Sequence, residues 1–372
     1  MPVTSKEKPG IARKLMDEFA GQTGLSGKGG EISERYLWTD AFAAQTFFNL
    51  SHVWAAAVYR GLALTLINEV HQHLGRFHSA ENRKGWISGL SEEQGQKHPT
   101  AGGLRIGKKL TERKQDDPFN ERLEWDRDGQ YFHYLTRWIQ ALLQAEKETG
   151  EKNYAIWASE LLKAGGKFID KTRGQIRMYW KMSVDLSRPL VNSMGVHDPL
   201  DGLICGLSIL ERVPEKASQL QPMIRDLKEC CNGLDWSTTD PLGIGGLLLN
   251  ITRLTGIAKA DIDLPENTRP EKLLTDCLYG LEMYSQMHNP NLLARHRLAF
   301  RECGLSLGLR SLMKLKEKPI EIDLNLNHLN RFMYLADEIE EFWVNPKNQD
   351  SPTWIEHLNI NAVTLAASLV AI

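Results

Sequence analysis

The sequence LEWDRDGQYFHYLTRW, residues Leu123–Trp138, joins a cluster of charges to apolar residues at helical spacing. Those apolar residues recur every three or four positions: Tyr131, Phe132, Leu135 and Trp138. The spacing predicts a helix with one buried face. Trp125, Asp126, Arg127 and Asp128 stand before it. An aspartate can cap a helix because its carboxylate accepts hydrogen bonds from free N–H groups. Two aspartates, an arginine and a tryptophan exceed that need, so we predict a polar site at the start of this helix.

The rest of the chain is predicted to be almost entirely helical, with two kinds of helix in alternation. One kind is amphipathic, as in Asn153–Lys171, and has a polar face that is exposed to solvent. The other kind carries apolar or small residues on nearly every face, which is typical of a buried helix. Its members are Leu200–Leu210, Leu242–Leu254, Gly304–Leu312 and Ile360–Ile372. The alternation predicts inner and outer helices packed in pairs.

The inner helices are preceded by similar polar residues. These are Thr39-Asp40, Asp126–Asp128, Asp198-Pro199, Asp240-Pro241, Arg301-Glu302 and His357–Asn361. Six such starts, unevenly spaced along the chain, indicate a repeat of architecture and not of sequence. They predict an all-α ring of six helical hairpins, an (α/α)6 toroid, with the starts gathered at one mouth. In this pattern residues 34–372 resemble the six-hairpin α/α-toroid enzymes, the glycosidase-like superfamily that also includes sugar epimerases and polysaccharide lyases. We predict a flexible N-terminal segment over residues 1–30 and a single toroid domain over residues 31–372.

Two segments interrupt the helical pattern. Gly174–Val191 alternates apolar and polar residues with a period of two, which predicts a small β-hairpin near the mouth. His78–Arg122 is a long, glycine-containing insertion, and long loops of this kind are usually functional. Its glycines do not form a P-loop, because the Lys-Ser/Thr ending and a strand-to-helix context are both missing.

Composition limits the kind of partner. A net charge of −2 argues against a nucleic-acid or anionic membrane surface as the main partner. The five cysteines show no disulfide or metal-site spacing, and no leader opens the chain, so we predict a cytoplasmic protein with reduced thiols. No metal and no cofactor is predicted. The expected partner is a carbohydrate or another small polar ligand, and the sequence does not indicate the oligomeric state.

Catalytic candidates are titratable residues at predicted helix starts: Asp126, Asp128, His197 and Glu302. Each carboxylate has a structural alternative. For Asp126 and Asp128 it is that one caps the helix and the other pairs with Arg127, and for Glu302 it is an ion pair with an arginine. The substrate-binding candidates are polar or aromatic residues at the same starts: Trp38, Asp40, Trp125, Arg127, Tyr131, Trp180, Asp201, Arg301, His357 and Asn361. His133, within the aromatic helix, is interpreted as a core residue.

These residue types suit a sugar, because aromatic rings stack on its C–H faces while acids and amides bind its hydroxyls. The favoured function is a glycoside hydrolase acting on a short oligosaccharide, with one carboxylic acid protonating the glycosidic oxygen and a second carboxylate activating water. Two alternatives remain open. One is a sugar isomerase or epimerase that uses histidines at the mouth, and the other is a toroid that binds a glycan or a protein without catalysis.

Overall fold

The computed structural model describes residues 4–25, 35–172, 174, 176–257, 263–317 and 324–371. In this part of the chain the helices are α1 (Lys8–Gln22), α2 (Leu37–Val53), α3 (Ala57–Leu74), α4 (Glu92–Lys97), α5 (Glu121–Asp126), α6 (Phe132–Thr149), α7 (Lys152–Gly165), α8 (Asp198–Arg212), α9 (Ala217–Cys231), α10 (Pro241–Ile257), α11 (Pro270–Met287), α12 (Ala299–Met313), α13 (Met333–Val344), α14 (Pro346–Gln349), α15 (Pro352–Glu356) and α16 (Leu358–Leu369). The strands are β1 (Gln130–Tyr131), β2 (Ile169–Asp170), β3 (Arg177–Met178), β4 (Lys181–Met182) and β5 (Pro189–Val191). Within these residues, no helix combines the length and the apolar character that crossing a membrane requires.

The chain divides into two compact units, each built from separate stretches of sequence. The first unit contains Met1–Gly30, Gln45–Arg60 and Gly233–Ile372, and the second contains Glu31–Ala44 and Gly61–Asn232. Two of the boundaries between these stretches fall inside α2 and α3. The single domain over residues 31–372 therefore stays a prediction.

In the first unit, α12 packs against α10, α13 and α16, and α1 packs against α16. Most residues of α12 and α16 are buried, as their nearly uniform apolar character predicts. The predicted flexible segment over residues 1–30 contains α1, whose Ala12, Met16 and Phe19 are buried. Residues 1–3 and 26–30 of that segment, and Ile372 at the other end of the chain, lie outside the described residues.

In the second unit, α6 packs against α7 and α8, with Trp138 and Leu142 fully buried. The strands form two small antiparallel sheets, in the orders β1–β4–β5 and β2–β3. The predicted β-hairpin corresponds to β4 and β5, in which Lys181 pairs with Val191. Residues 173 and 175 of the predicted hairpin segment lie outside the described residues.

The predicted insertion His78–Arg122 is fastened to the second unit by backbone hydrogen bonds. The N–H of Arg105 donates to the carbonyl of Leu74, and the N–H of Ile106 donates to the carbonyl of Gly129. Ile106 is fully buried, and its own carbonyl accepts from the N–H of Leu37 at the start of α2. The insertion thus places the loop after α3 beside the stretch that leads into α6.

Candidate functional site

The charged residues before α6 occupy three different environments. Asp126 is exposed, and it forms no hydrogen bond or ion pair with any residue that the structure describes. Arg127 pairs with Asp117 at 3.0 Å. Asp128 is fully buried, and its carboxylate accepts from Nη1 of Arg105 at 2.7 Å. The predicted cap is wrong, because α5 ends at Asp126 and α6 begins only after β1. The alternative in which one of these aspartates pairs with Arg127 is also wrong, since Asp128 pairs with Arg105 and Arg127 pairs with Asp117.

Aromatic side chains of the second unit form a continuous cluster at the start of α6. The centre of the Trp180 ring lies 4.8 Å from that of Trp125 and 5.4 Å from that of Tyr131. Tyr131 contacts Tyr134, with ring centres 5.2 Å apart, and the hydroxyl of Tyr134 hydrogen-bonds that of Tyr36 at 2.7 Å. Trp125, Tyr131 and Trp180, three of the predicted binding residues, line a pocket of about 580 Å³. Its volume and aromatic lining suit a small ligand.

His133 and Asp198 lie beside this cluster and face each other. The His133 ring stacks at 6.2 Å from Trp180, and its Nδ1 atom is 4.0 Å from Oδ1 of Asp198. In the part of the chain that the structure describes, neither His133 Nδ1 nor Asp198 Oδ2 has a hydrogen-bond partner, although both atoms are buried. Burial, together with the positive charge of Arg137, lowers the pKa of His133 to about 4. The opposite holds for Asp198, whose pKa is raised well above its usual range by burial and by Asp201.

The start of α8 holds two more predicted residues. Asp201 is buried and pairs with Arg137 of α6 at 3.0 Å. The sequence predicted such a pairing, because an unpaired charge in a buried helix is costly. His197 is half-buried and directly precedes α8. Asp198 is not the cap of α8, because it is the first helical residue and the residue before it makes no side-chain capping bond.

Asp40 and Trp38 are buried within α2. The Asp40 carboxylate accepts from the N–H of Tyr36 at 3.0 Å and lies 3.7 Å from Arg35. Burial raises the pKa of Asp40 to about 7, and the positive charge of Arg35 opposes that rise only in part. Trp38 packs on Phe42 with ring centres 4.3 Å apart.

In the first unit, Glu302 is held by a dense set of donors. Nε and Nη2 of Arg297 donate to its carboxylate at 2.7 to 3.0 Å, and Nε1 of Trp343 donates at 2.7 Å. Its oxygens are therefore engaged in a buried ion pair of the kind that the structural alternative predicted. Arg301 pairs with Asp240 at 2.7 Å, and the other oxygen of Asp240 accepts from a backbone N–H at the start of α10, so the predicted cap is present there.

Asn361 and His357 lie near the start of α12. The Asn361 side chain is fully buried, and it accepts from the N–H of Phe300 and donates to the carbonyls of Thr353 and Trp354. These three hydrogen bonds tie α12 to α15 and occupy the amide. His357 is half-buried, and its ring meets that of Phe300 edge-on at 5.8 Å.

The structure thus groups the predicted residues within each unit. In the second unit, Trp125, Tyr131 and Trp180 lie together at the start of α6, with Asp201 paired to that helix. In the first unit, Arg301, Glu302, His357 and Asn361 lie around the start of α12. The gathering of all of them at one mouth stays a prediction.

His133 is the functional candidate that sequence reasoning set aside. One signal for it was available. His133 and Arg137 are four residues apart and share one face of α6, while Asp198 and Asp201 lie three apart and share one face of α8. Two helices with complementary polar faces at their starts predict a polar contact between them.

Comparison with solved structures identifies a similar fold. The chain resembles the cellobiose 2-epimerase from Spirochaeta thermophila with a TM-score of 0.51, over 96% of this chain and 97% of that one. The chain has the fold of an α/α toroid. The predicted fold class, an all-α toroid with a small β-hairpin, is therefore confirmed. Since the two sequences are only 13% identical, the likeness shows the fold alone. No protein-family model matches the chain, and no curated protein does.

Proposed function

We propose that this chain is a carbohydrate-active enzyme that transfers a proton at a carbon next to a sugar carbonyl, as an isomerase or epimerase does. The observation that carries the proposal is His133. Its Nδ1 atom is buried, has no hydrogen-bond partner among the described residues and faces a carboxyl group at 4.0 Å. A buried polar atom without a partner is costly, and such atoms persist where a ligand or a reaction uses them.

The protonation states of the two groups suit this reaction. With a pKa of about 4, His133 is neutral near pH 7 and can accept the proton that leaves carbon. Asp198, with its raised pKa, can hold a proton and donate it to an oxygen or a carbon of the substrate. The ion pair between Arg137 and Asp201 connects α6 to α8. Trp180 offers an aromatic face for the sugar ring.

The fold supports a sugar as the substrate, since the similar solved structure is named as a cellobiose 2-epimerase. We extend that substrate class to this chain as part of the proposal. A reducing disaccharide or a simple aldose is the first substrate to test.

Glycoside hydrolysis is the second candidate, and the raised pKa of Asp198 is the observation that favours it. A hydrolase needs one protonated acid together with a second carboxylate that is available to water or to the sugar. Asp198 meets the first requirement. Asp128 and Glu302, two of the carboxylates expected from the sequence, are instead bound to Arg105 and Arg297.

The test is incubation with cellobiose and with glucose in deuterated water, followed by NMR spectroscopy of the sugars. Epimerisation or isomerisation exchanges the C2 hydrogen for deuterium and yields a new sugar, whereas hydrolysis yields glucose without a C–D bond. We expect exchange in the parent protein. His133→Asn should reduce it by roughly a hundredfold or more, which is typical for loss of a general base.

His328→Asn is the matched control, because His328 is exposed and belongs to the first unit. We expect this control to keep full activity, and both variants to melt close to the parent. If His133→Asn keeps full exchange activity, or if the parent releases glucose without exchange, the proton-transfer proposal is wrong.

A further inference from the structure

A second pocket of the second unit has a cationic lining. Its volume is about 390 Å³. The basic residues that line it are Arg35, His73, Arg76, His78, Arg105 and Lys108. None of the lining residues is an aspartate or a glutamate. Cationic side chains that line a small cavity can bind a small anion.

Carboxylates outside the lining neutralise the arginines of this pocket. Arg105 pairs with the buried Asp128 at 2.7 Å, and Arg76 binds Glu92. The arginines are therefore fixed parts of the wall, oriented by these ion pairs. A ligand has to be bound by other donors.

Lys108 and His78 can supply those donors. Lys108 is half-buried, and its ammonium lies 5.3 Å from the centre of the Tyr36 ring and forms no ion pair with the residues that the structure describes. The N–H of Ala80 donates to Nδ1 of His78, so the neutral ring carries its proton on Nε2. Lys108 thus offers a free positive charge, and His78 offers a ring N–H.

We propose that this pocket binds a phosphate group. A phosphate has several acceptor oxygens and up to two negative charges, which match a free ammonium and a ring N–H. The site is not a P-loop, because its cations are side chains and the segment around Gly107 lacks that motif. The bound group can be free inorganic phosphate or the phosphate of a sugar phosphate. The second source rests on the proposed function. Tyr36 connects the pocket to the aromatic cluster, because its ring contacts Lys108 and its hydroxyl hydrogen-bonds that of Tyr134.

The experiment is isothermal titration of the whole protein with sodium phosphate, glucose 6-phosphate and glucose at constant ionic strength. We expect phosphate to bind, and Lys108→Gln to weaken binding by roughly tenfold, the typical effect of losing one charge-assisted hydrogen bond. Lys163→Gln is the matched control. Lys163 is an exposed lysine of α7 in the same unit, so its loss changes the net charge equally without touching the pocket.

Binding is measured without turnover, so the result is independent of whether the protein epimerises a sugar. Equal affinities for phosphate and glucose 6-phosphate would support the site with a free phosphate as its ligand. Tighter binding of glucose 6-phosphate would support it with a sugar phosphate. Absence of binding by both, or equal weakening by Lys108→Gln and Lys163→Gln, would overturn the proposal. Circular dichroism of both variants confirms that they are folded.

Discussion

At the scale of single residues, the partner of each buried carboxylate determines which chemistry is open to it. Asp128, Asp201 and Glu302 are all buried, and each is held by an arginine at 2.7 to 3.0 Å. Asp198, buried to the same degree, has one oxygen without a hydrogen bond among the described residues and faces His133. Burial raises the pKa of the Asp198 carboxyl well above its usual range, and the negative charge of Asp201 adds to that rise.

Glu302→Gln tests the structural role of one of these ion pairs. The change keeps the shape of the side chain but removes the charge that Arg297 and Trp343 bind, and it leaves a buried guanidinium without a counter-ion. We expect the free energy of unfolding to fall by about 3 kcal/mol, as for other broken buried pairs. Urea denaturation measures this loss.

Glu341→Gln is its control, because Glu341 is an exposed residue of α13. The control should change the free energy of unfolding by less than about 0.5 kcal/mol. Equal stability of the two variants would show that the Arg297–Glu302 pair is not structural, and Glu302 would return as a catalytic candidate.

At the scale of elements, the contact between α10 and α12 depends on glycine. A Cβ atom added to Gly245 would lie 2.1 Å from the carbonyl oxygen of Gly304, and one added to Gly308 would lie 2.6 Å from the carbonyl oxygen of Gly245. The backbones of the two helices therefore approach too closely for any side chain at these positions. The sequence shows small residues in both helices, but only the packing reveals that they face each other.

Gly245→Ala should therefore destabilise the protein, even though alanine favours a helix over glycine. The methyl group would overlap the backbone of α12, and such overpacking costs about 1–3 kcal/mol or more. Gly256→Ala in the same helix is the matched control, since a Cβ there meets nothing within 4 Å. It should stabilise the protein by about 0.5–1 kcal/mol. Thermal unfolding measures both, and a Gly245→Ala variant as stable as the control would contradict the close approach.

At the scale of the whole molecule, the chain passes back and forth between its two compact units. Neither unit is a continuous stretch of sequence, and α2 and α3 each contribute residues to both units. Unfolding of either of these helices would therefore remove residues from both units. This connectivity favours the single domain that the sequence predicts over residues 31–372.

We accordingly expect one cooperative unfolding transition. Far-ultraviolet circular dichroism reports the helices, and tryptophan fluorescence reports the surroundings of the ten tryptophans, so the two signals should change at the same urea concentration. Two separated transitions, or midpoints that differ between the probes, would indicate that the units unfold independently.

The sequence by itself determined the helical character, the positions of the buried helices and the small β-hairpin. These properties follow from local periodicity, because apolar residues at intervals of three and four, or of two, select one kind of backbone. The predicted helix Leu200–Leu210 is α8, and Leu242–Leu254 lies within α10. The resemblance to the α/α toroids also rested on this pattern, and the similar solved structure confirms the fold.

Only the tertiary structure decided which polar residues are engaged and which are available. Asp128 pairs with Arg105 of the insertion, and His133 of α6 faces Asp198 of α8, although the two helices are far apart in sequence. Such pairings depend on how the elements pack, and periodicity carries no information about them. The phosphate pocket likewise combines Arg35, His78 and Lys108 from three separate stretches. Its cationic lining exists only because folding brings these stretches together while their carboxylate partners lie outside the lining.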